Sequence, residues 1–194
     1  METKLKQRII QLYKQFKNED ALKENRLEKW RNLEPESAEL ISIMIKAQQS
    51  KNVLELGTSN GFSTLWFADA LKSSNGKLVS IEMEESRTQQ AKGHLVDFQL
   101  AENVELITAD AGQFLTQAQP IYDIIFLDAE RKNYIAYWTD LKYLLSKKGS
   151  LLIVDNIISH HHEVEAFLSM IKSDSDFTSS IVNVGAGILL VTKQ

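Results

Sequence analysis

With 194 residues, 43% of them hydrophobic and 25% charged, the chain has room for one domain with a full core and the composition of an ordinary globular protein. The absence of cysteine excludes a disulfide framework, a zinc–thiolate site and a thiol nucleophile, and it fits a reducing cytoplasm. The formal net charge of −4 argues against broad nucleic-acid binding, and no apolar run reaches membrane-span length or forms a signal core, so no membrane association is expected.

In chain order, Leu5, Ile9, Leu12 and Phe16 fall on one helical seam, with Lys4, Lys6, Arg8, Lys14 and Lys17 around the rest. The seam predicts an amphipathic helix docked on its own domain or on a second subunit; a basic RNA-contacting arm is the alternative. A second helix is expected after Asp20, using Leu22, Leu27, Trp30 and Leu33. Glu34-Pro35 is a boundary, since proline suits a first helical turn, and a helix with an apolar face follows to Gln49. Residues 1–34 thus read as a helical extension and 35–194 as the core of one domain.

The next stretch organises the rest. Val53-Leu-Glu-Leu56 is a short strand, Gly57-Thr-Ser-Asn-Gly61 a tight turn, and Leu65, Trp66 and Ala68 have helical spacing, which makes a βα unit of the nucleotide-binding kind. Glycine serves where backbone must turn sharply or let a ligand lie against it, and the amides opening the helix face that ligand. A second strand, Lys77–Glu82, ends in an acid placed to accept both hydroxyls of a ribose. The G-x-G-x-x-G fingerprint is absent, and Glu55 would repel a pyrophosphate. It suits a cationic ligand with an amino group near a sulfonium, so the residues favour S-adenosylmethionine over a dinucleotide. The same five turn residues also match G-x-S-x-G, a hydrolase nucleophile elbow, with Ser59, Asp155 and His160 in triad order. The acid in the strand, the lack of a His-Gly-Gly oxyanion segment and the short chain weigh against it.

Further along, Glu84 to about Gln99 is a polar helix and Val104–Ile107 a third strand ending near Asp110, which suits a helix N-cap for 112–119. Tyr122–Asp128 is a fourth strand, apolar as in a sheet covered on both faces, and a helix over 133–145 follows. Ser150–Asp155 is a fifth strand, a helix spans about 162–172, and two final strands lie near 178–184 and 188–192. The sum is an α/β, Rossmann-like, doubly wound and mostly parallel seven-stranded sheet with extra N-terminal helices.

Acids end the second, fourth and fifth strands, and ligands of such sheets sit at the carboxyl edge. Asp128, Asp155 and Asn156 form an all-oxygen set suited to Mg²⁺ or Mn²⁺, which would lower the pKa of a bound hydroxyl. Capping of the following helices is the plainer role for either acid alone.

The ordered set of motifs resembles the class I methyltransferases, and Val-Leu-Glu-Leu-Gly-Thr-Ser-Asn-Gly-Phe-Ser-Thr resembles in particular the cation-dependent O-methyltransferases of catechol and caffeoyl-CoA type. That resemblance runs from about Pro35 onward. It implies a donor site for S-adenosylmethionine at Glu55, Gly57, Ser59, Gly61, Ser63, Glu82, Met83, Asp110, Ala111 and Asp128. It implies a metal site at Asp128, Asp155 and Asn156, a small catechol-like acceptor, and N-terminal helices that cover the site and help form a homodimer. A tRNA hydroxyl is the alternative acceptor within the same fold, and a non-catalytic S-adenosylmethionine-binding protein the alternative outside catalysis. Three departures bear on the acceptor. Arg131 stands where the family has a lysine considered the general base, and a guanidinium stays protonated. Lys132 and His160 are therefore the candidate bases, beside Arg131 as an oxyanion-stabilising group. The loop Asn156-Ile-Ile-Ser-His160-His-His162 replaces a more apolar one, and Val184-Gly-Ala-Gly187 lacks the family's acid.

Overall fold

The computed structural model describes residues 1–25 and 28–194. Helix α1 (Thr3–Ala21) is followed by α2 (Pro35–Gln48), and a seven-stranded sheet is built from β1 (Asn52–Leu56), β2 (Lys77–Glu82), β3 (Val104–Thr108), β4 (Ile124–Leu127), β5 (Leu151–Val154), β6 (Phe177–Val182) and β7 (Ile188–Lys193). The strands lie in the order β3-β2-β1-β4-β5-β7-β6. β1 to β5 are parallel, and β7 enters antiparallel between β5 and β6. The connecting helices are α3 (Phe62–Leu71), α4 (Glu85–Asp97), α5 (Ala111–Leu115), α6 (Tyr134–Leu144) and α7 (His161–Ser173).

Each central strand feeds two cores because its side chains alternate between faces. Ile124 and Phe126 of β4 join the cluster beneath α1, α2 and α3, whereas Ile125 and Leu127 join the one beneath α6 and α7. Helix α3 is apolar on nearly all sides and buries every residue except Asp69, since it lies between the sheet and the outer helices α1 and α2. Helix α1 docks there through Ile9 and Phe16, with Tyr13 stacked 5.0 Å from Phe62. This is the self-docking expected from its seam.

The helix expected after Asp20 is not formed among the described residues. Helix α1 runs through Asp20 to Ala21, Leu22 is 86% exposed, and Leu33 is buried. Leu27, counted in the predicted helix, lies outside the described residues. The reason is local: the Asp20 carboxylate accepts the amides of Trp30 (2.7 Å) and Arg31 (3.0 Å), and Arg31 adopts a left-handed backbone, φ 52°. Those bonds turn the chain back on α1 in place of a helical ladder. Helix α5 also stops at Leu115, short of the expected 119, where the Thr116 hydroxyl bonds the Gln113 carbonyl at 2.8 Å.

Candidate active site

The strand order reverses direction between β1 and β4, so the carboxyl ends of β1, β2, β4 and β5 open on one cleft. Its volume is about 1100 Å³, and it is lined by Gly57, Ser59, Glu82, Met83, Asp110, Ala111, Asp128, Arg131, Lys132, Asn156 and His160, among others. Most residues singled out in the sequence meet here. Glu55, Gly61, Ser63 and Asp155 lie behind the lining.

The floor is the turn after β1. Gly57 has φ 108°, and a Cβ there would fall 2.3 Å from the Asp128 carbonyl oxygen, so only glycine lets the β1 and β4 tips close. The amides of Gly57 and Thr58 donate to the Ile81 carbonyl. Glu82 then spans the mouth of the turn, accepting Ser59 N–H at 2.8 Å and Glu84 N–H at 3.1 Å. At the adjoining rim Asp110 caps α5 as expected, accepting Gln113 N–H at 2.9 Å, and it also lines the cleft beside Ala111.

Glu55 is placed differently from its expected position facing a ligand. It is fully buried, and its carboxylate accepts hydroxyls from Ser63 (2.5 Å), Thr64 (2.6 Å) and Ser80 (2.6 Å). Ser63 likewise spends its hydroxyl on this network. Glu55 therefore ties β1 and β2 to the first turn of α3 from behind. Burial pushes its carboxyl up to about 7, against the opposing pull of the three hydroxyls.

At the far end, Asp128 and Asp155 follow the adjacent strands β4 and β5. The Asn156 amide bridges them, its nitrogen 3.2 Å from Asp128 Oδ1 and 2.8 Å from Asp155 Oδ2. Asn156 has φ 65°, a conformation asparagine tolerates better than most residues. Asp155 Oδ1 is buried and has no hydrogen-bond partner among the described residues. Burial drives both carboxyls up, Asp155 to about 7, and Asp155 raises Asp128 further while Arg31 and Arg131 oppose the rise. A buried carboxylate with an orphaned oxygen, a half-buried one beside it and a bridging amide are what a hard cation would satisfy, and the amide can turn its oxygen inward. No cluster of three or more His, Cys, Asp or Glu suited to a metal occurs among the described residues, so such a set needs Asn156 as its third member.

Arg131 lies in a short 3₁₀ turn (Arg131–Asn133), buried, and pairs with Glu163 of α7 through Nε (2.9 Å) and Nη2 (3.3 Å). Lys132 is exposed on the rim, and His160 precedes α7 with its Nδ1 2.9 Å from Ser159 Oγ. The loop carrying His160 is held by the Gly187 and Ala186 carbonyls, which accept the amides of Ile157, Ile158 and Ser159. Ala186 thus acts through its backbone. The hydrolase alternative fails here, because the Ser59 hydroxyl donates to the Trp30 carbonyl (2.9 Å) and presents no proton to a base.

The cleft's outer wall is a strap after α1 that periodicity did not disclose. Trp30 Nε1 donates to Glu19 (2.7 Å), Arg87 reaches the Lys29 carbonyl, and Arg31 pairs with Glu130 at 3.1 Å. Lys23 lies 4.0 Å from the Trp30 ring centre. Glu163, Glu130 and the strap carried no motif; only Asp20, an acid at a boundary between predicted helices, hinted at the strap.

Comparison with known proteins bears on this geometry. Residues 9–194 match the O-methyltransferase family model, and the chain belongs to that family. It is 33% identical over 132 residues to a catechol O-methyltransferase of Niastella koreensis, covering 66% of this chain and 58% of that protein. It is 33% identical over 138 residues to one of Mycobacterium tuberculosis, covering 63% and 61%. The chain thus spans under two thirds of the length of either relative. Among solved structures, the O-methyltransferase TomG from Streptomyces achromogenes, involved in tomaymycin synthesis and determined in complex with SAM, superposes with a TM-score of 0.78 at 25% identity, covering 100% of this chain and 91% of that one. No helix among the described residues is long and apolar enough to cross a membrane.

Proposed function

We propose that the protein transfers the methyl group of S-adenosylmethionine to one hydroxyl of a small vicinal diol, with a divalent cation held by Asp128, Asp155 and Asn156. One observation carries this: Asp128 lines the far end of the same cleft whose near end holds Glu82, and directly behind it the buried Asp155 carries an oxygen with no hydrogen-bond partner among the described residues. Family membership and the SAM-bound relative support the donor. Glu82 binds the ribose hydroxyls, Met83 and the Asp110–Ala111 edge flank the adenine, and the Gly57 turn accepts the methionine portion beside Asp128. A divalent cation held by Asp128, Asp155 and Asn156 would lower the pKa of a bound hydroxyl.

The protein's own residues do the rest. The cleft aligns donor and acceptor, and this proximity provides most of the rate. Trp30 and Arg31 wall the cleft on its outer side. Arg131 is no base, because its guanidinium is always protonated and already engaged by Glu163. Proton removal falls to Lys132 or His160, both on the cleft. A screen with labelled S-adenosylmethionine, catechols and unmodified tRNA tests the proposal. Methylated catechol is the expected product; methylated tRNA alone would move the acceptor to RNA, and donor binding without any transfer would leave a non-catalytic binding protein.

A further inference from the structure

Helix α4 backs the glycine turn with one face. Arg87, Ala91 and His94 fall at i, i+4 and i+7, and each meets a different residue of the turn. Arg87 Nη1 lies 3.4 Å from the Ser59 hydroxyl, and its Nη2 lies 3.3 Å from the Lys29 carbonyl. A Cβ on Gly61 would fall 2.9 Å from that of Ala91 and 3.0 Å from its Cα, so only glycine lets turn and helix approach this closely. His94 Nδ1 lies 2.8 Å from the Asn60 carbonyl oxygen. A carbonyl can only accept, so this ring nitrogen carries the proton and donates it. Asn60 is fully buried, and its side-chain amide has no hydrogen-bond partner among the described residues, so that side chain does not anchor the turn. The Gly61 N–H donates to the Thr58 carbonyl at 2.9 Å. The Asn60–Gly61 peptide is therefore held at both ends, by the turn on one side and by α4 on the other.

We infer that His94 is a positioning residue of the donor site: its Nδ1–H fixes the Asn60–Gly61 peptide and so keeps the glycine turn in the form that receives S-adenosylmethionine. This rests on the donor site proposed above. Ser59 and Gly61, on either side of Asn60, both have left-handed backbone, φ 50° and 86°. For serine that conformation is strained and persists only where its surroundings fix it. Removing the His94 donor would leave a buried carbonyl without a partner, which costs more than the bond itself contributes, and the peptide would turn to find another. Turning it moves Ser59, whose N–H is bonded to the Glu82 carboxylate. Neither His94 nor Asn60 lines the cleft, so His94 reaches the donor only through the turn. The competing role is packing, because the His94 ring also lies against Phe16 of α1, centroids 5.3 Å apart.

Two substitutions separate the bond from the packing. His94→Asn keeps an N–H donor near the place of Nδ1 and loses the ring; His94→Phe keeps a ring and loses the donor. Calorimetry with S-adenosylmethionine on the full-length protein gives the readout. His94→Phe should weaken binding roughly tenfold, the scale of one hydrogen bond to a buried carbonyl, and His94→Asn should hold it within about twofold of wild type. The reverse ranking, equal losses in both variants or no loss in either would overturn the inference and leave His94 as packing between α1 and α4. Should His94→Phe fail to fold, His94→Asn decides: affinity near wild type supports the bond, and a clear loss overturns it. Amide hydrogen exchange of the ligand-free protein supplies an independent arm. His94→Phe should speed exchange at Ser59 and Gly61, whose N–H groups bond Glu82 and Thr58, and His94→Asn should not. Exchange unchanged at both amides in His94→Phe would overturn the role. Wild type that binds no S-adenosylmethionine would remove the donor site, while the exchange arm would still decide whether His94 holds the turn.

Discussion

Glu82 shows what a single side chain contributes. Its two oxygens already accept the amides of Ser59 and Glu84, so the carboxylate is fixed across the glycine turn before a ligand arrives. Charge-assisted bonds from a ribose would each add about 1.5–3 kcal/mol. Glu82→Ala should weaken S-adenosylmethionine binding at least about tenfold by calorimetry, and unchanged affinity in a folded variant would remove the ribose assignment. Lys132 and His160 are the two proposed proton acceptors, and both line the cleft. Single-turnover pH–rate profiles of Lys132→Met and His160→Gln should show one of them slowed, with its acidic limb moved; two wild-type profiles would mean neither is the base. Glu55 makes a further prediction. Its folded carboxyl is raised from 4.5 to about 7, so the folded state holds a proton that the unfolded chain has lost. That stability is complete below the unfolded value and drains away as pH rises through about 7; Asp155 acts in the same direction when no cation is bound. Melting with chelator should fall between pH 5 and 8, and a flat curve would contradict the buried, raised carboxyls.

At the scale of elements, the sequence pattern disclosed α1, α2, all seven strands and the glycine turn; the central strands β1 and β4 were plainest because they are buried on both faces, whereas β6 is exposed over most of its length. The residues brought to the strand tips were legible for the same reason: β-strand ends converge wherever the sheet is parallel. The strap after α1 was not legible. Its order comes from Asp20, Glu19, Ser59 and Arg87 bonding to backbone and indole atoms far along the chain, a pattern without a period. Glu163 escaped notice because an acid in a first helical turn already has an ordinary use there. Likewise Glu55 read as a ligand-facing acid, since the three hydroxyls that satisfy it are scattered over Ser63, Thr64 and Ser80. The strap predicts its own weakness. Asp20→Ala removes the acceptor of two amides and should loosen the cleft wall, costing about 1–3 kcal/mol of stability. Faster hydrogen exchange confined to Trp30 and Arg31 would confirm a local effect; exchange unchanged there would show the strap is held by other contacts.

Across the whole molecule, the sheet order brings the Glu82 edge and the Asp128 edge onto one cleft, with the reversal between β1 and β4 at its centre. Core and site are coupled through β4, whose Phe126 packs edge-on to Phe67 at 5.2 Å two residues before Asp128. If Asp128, Asp155 and Asn156 hold the proposed cation, methyl transfer needs that cation and donor binding does not. The direct test measures transfer from labelled S-adenosylmethionine to a catechol, and donor affinity, in wild type and Asp155→Asn with and without EDTA. Chelation and Asp155→Asn should each abolish transfer, Mn²⁺ or Mg²⁺ should restore it after chelation only in wild type, and donor affinity should change little throughout. Transfer that survives both exhaustive chelation and Asp155→Asn would contradict the need for a cation and leave Asp128, Asp155 and Asn156 as structural groups at the strand tips.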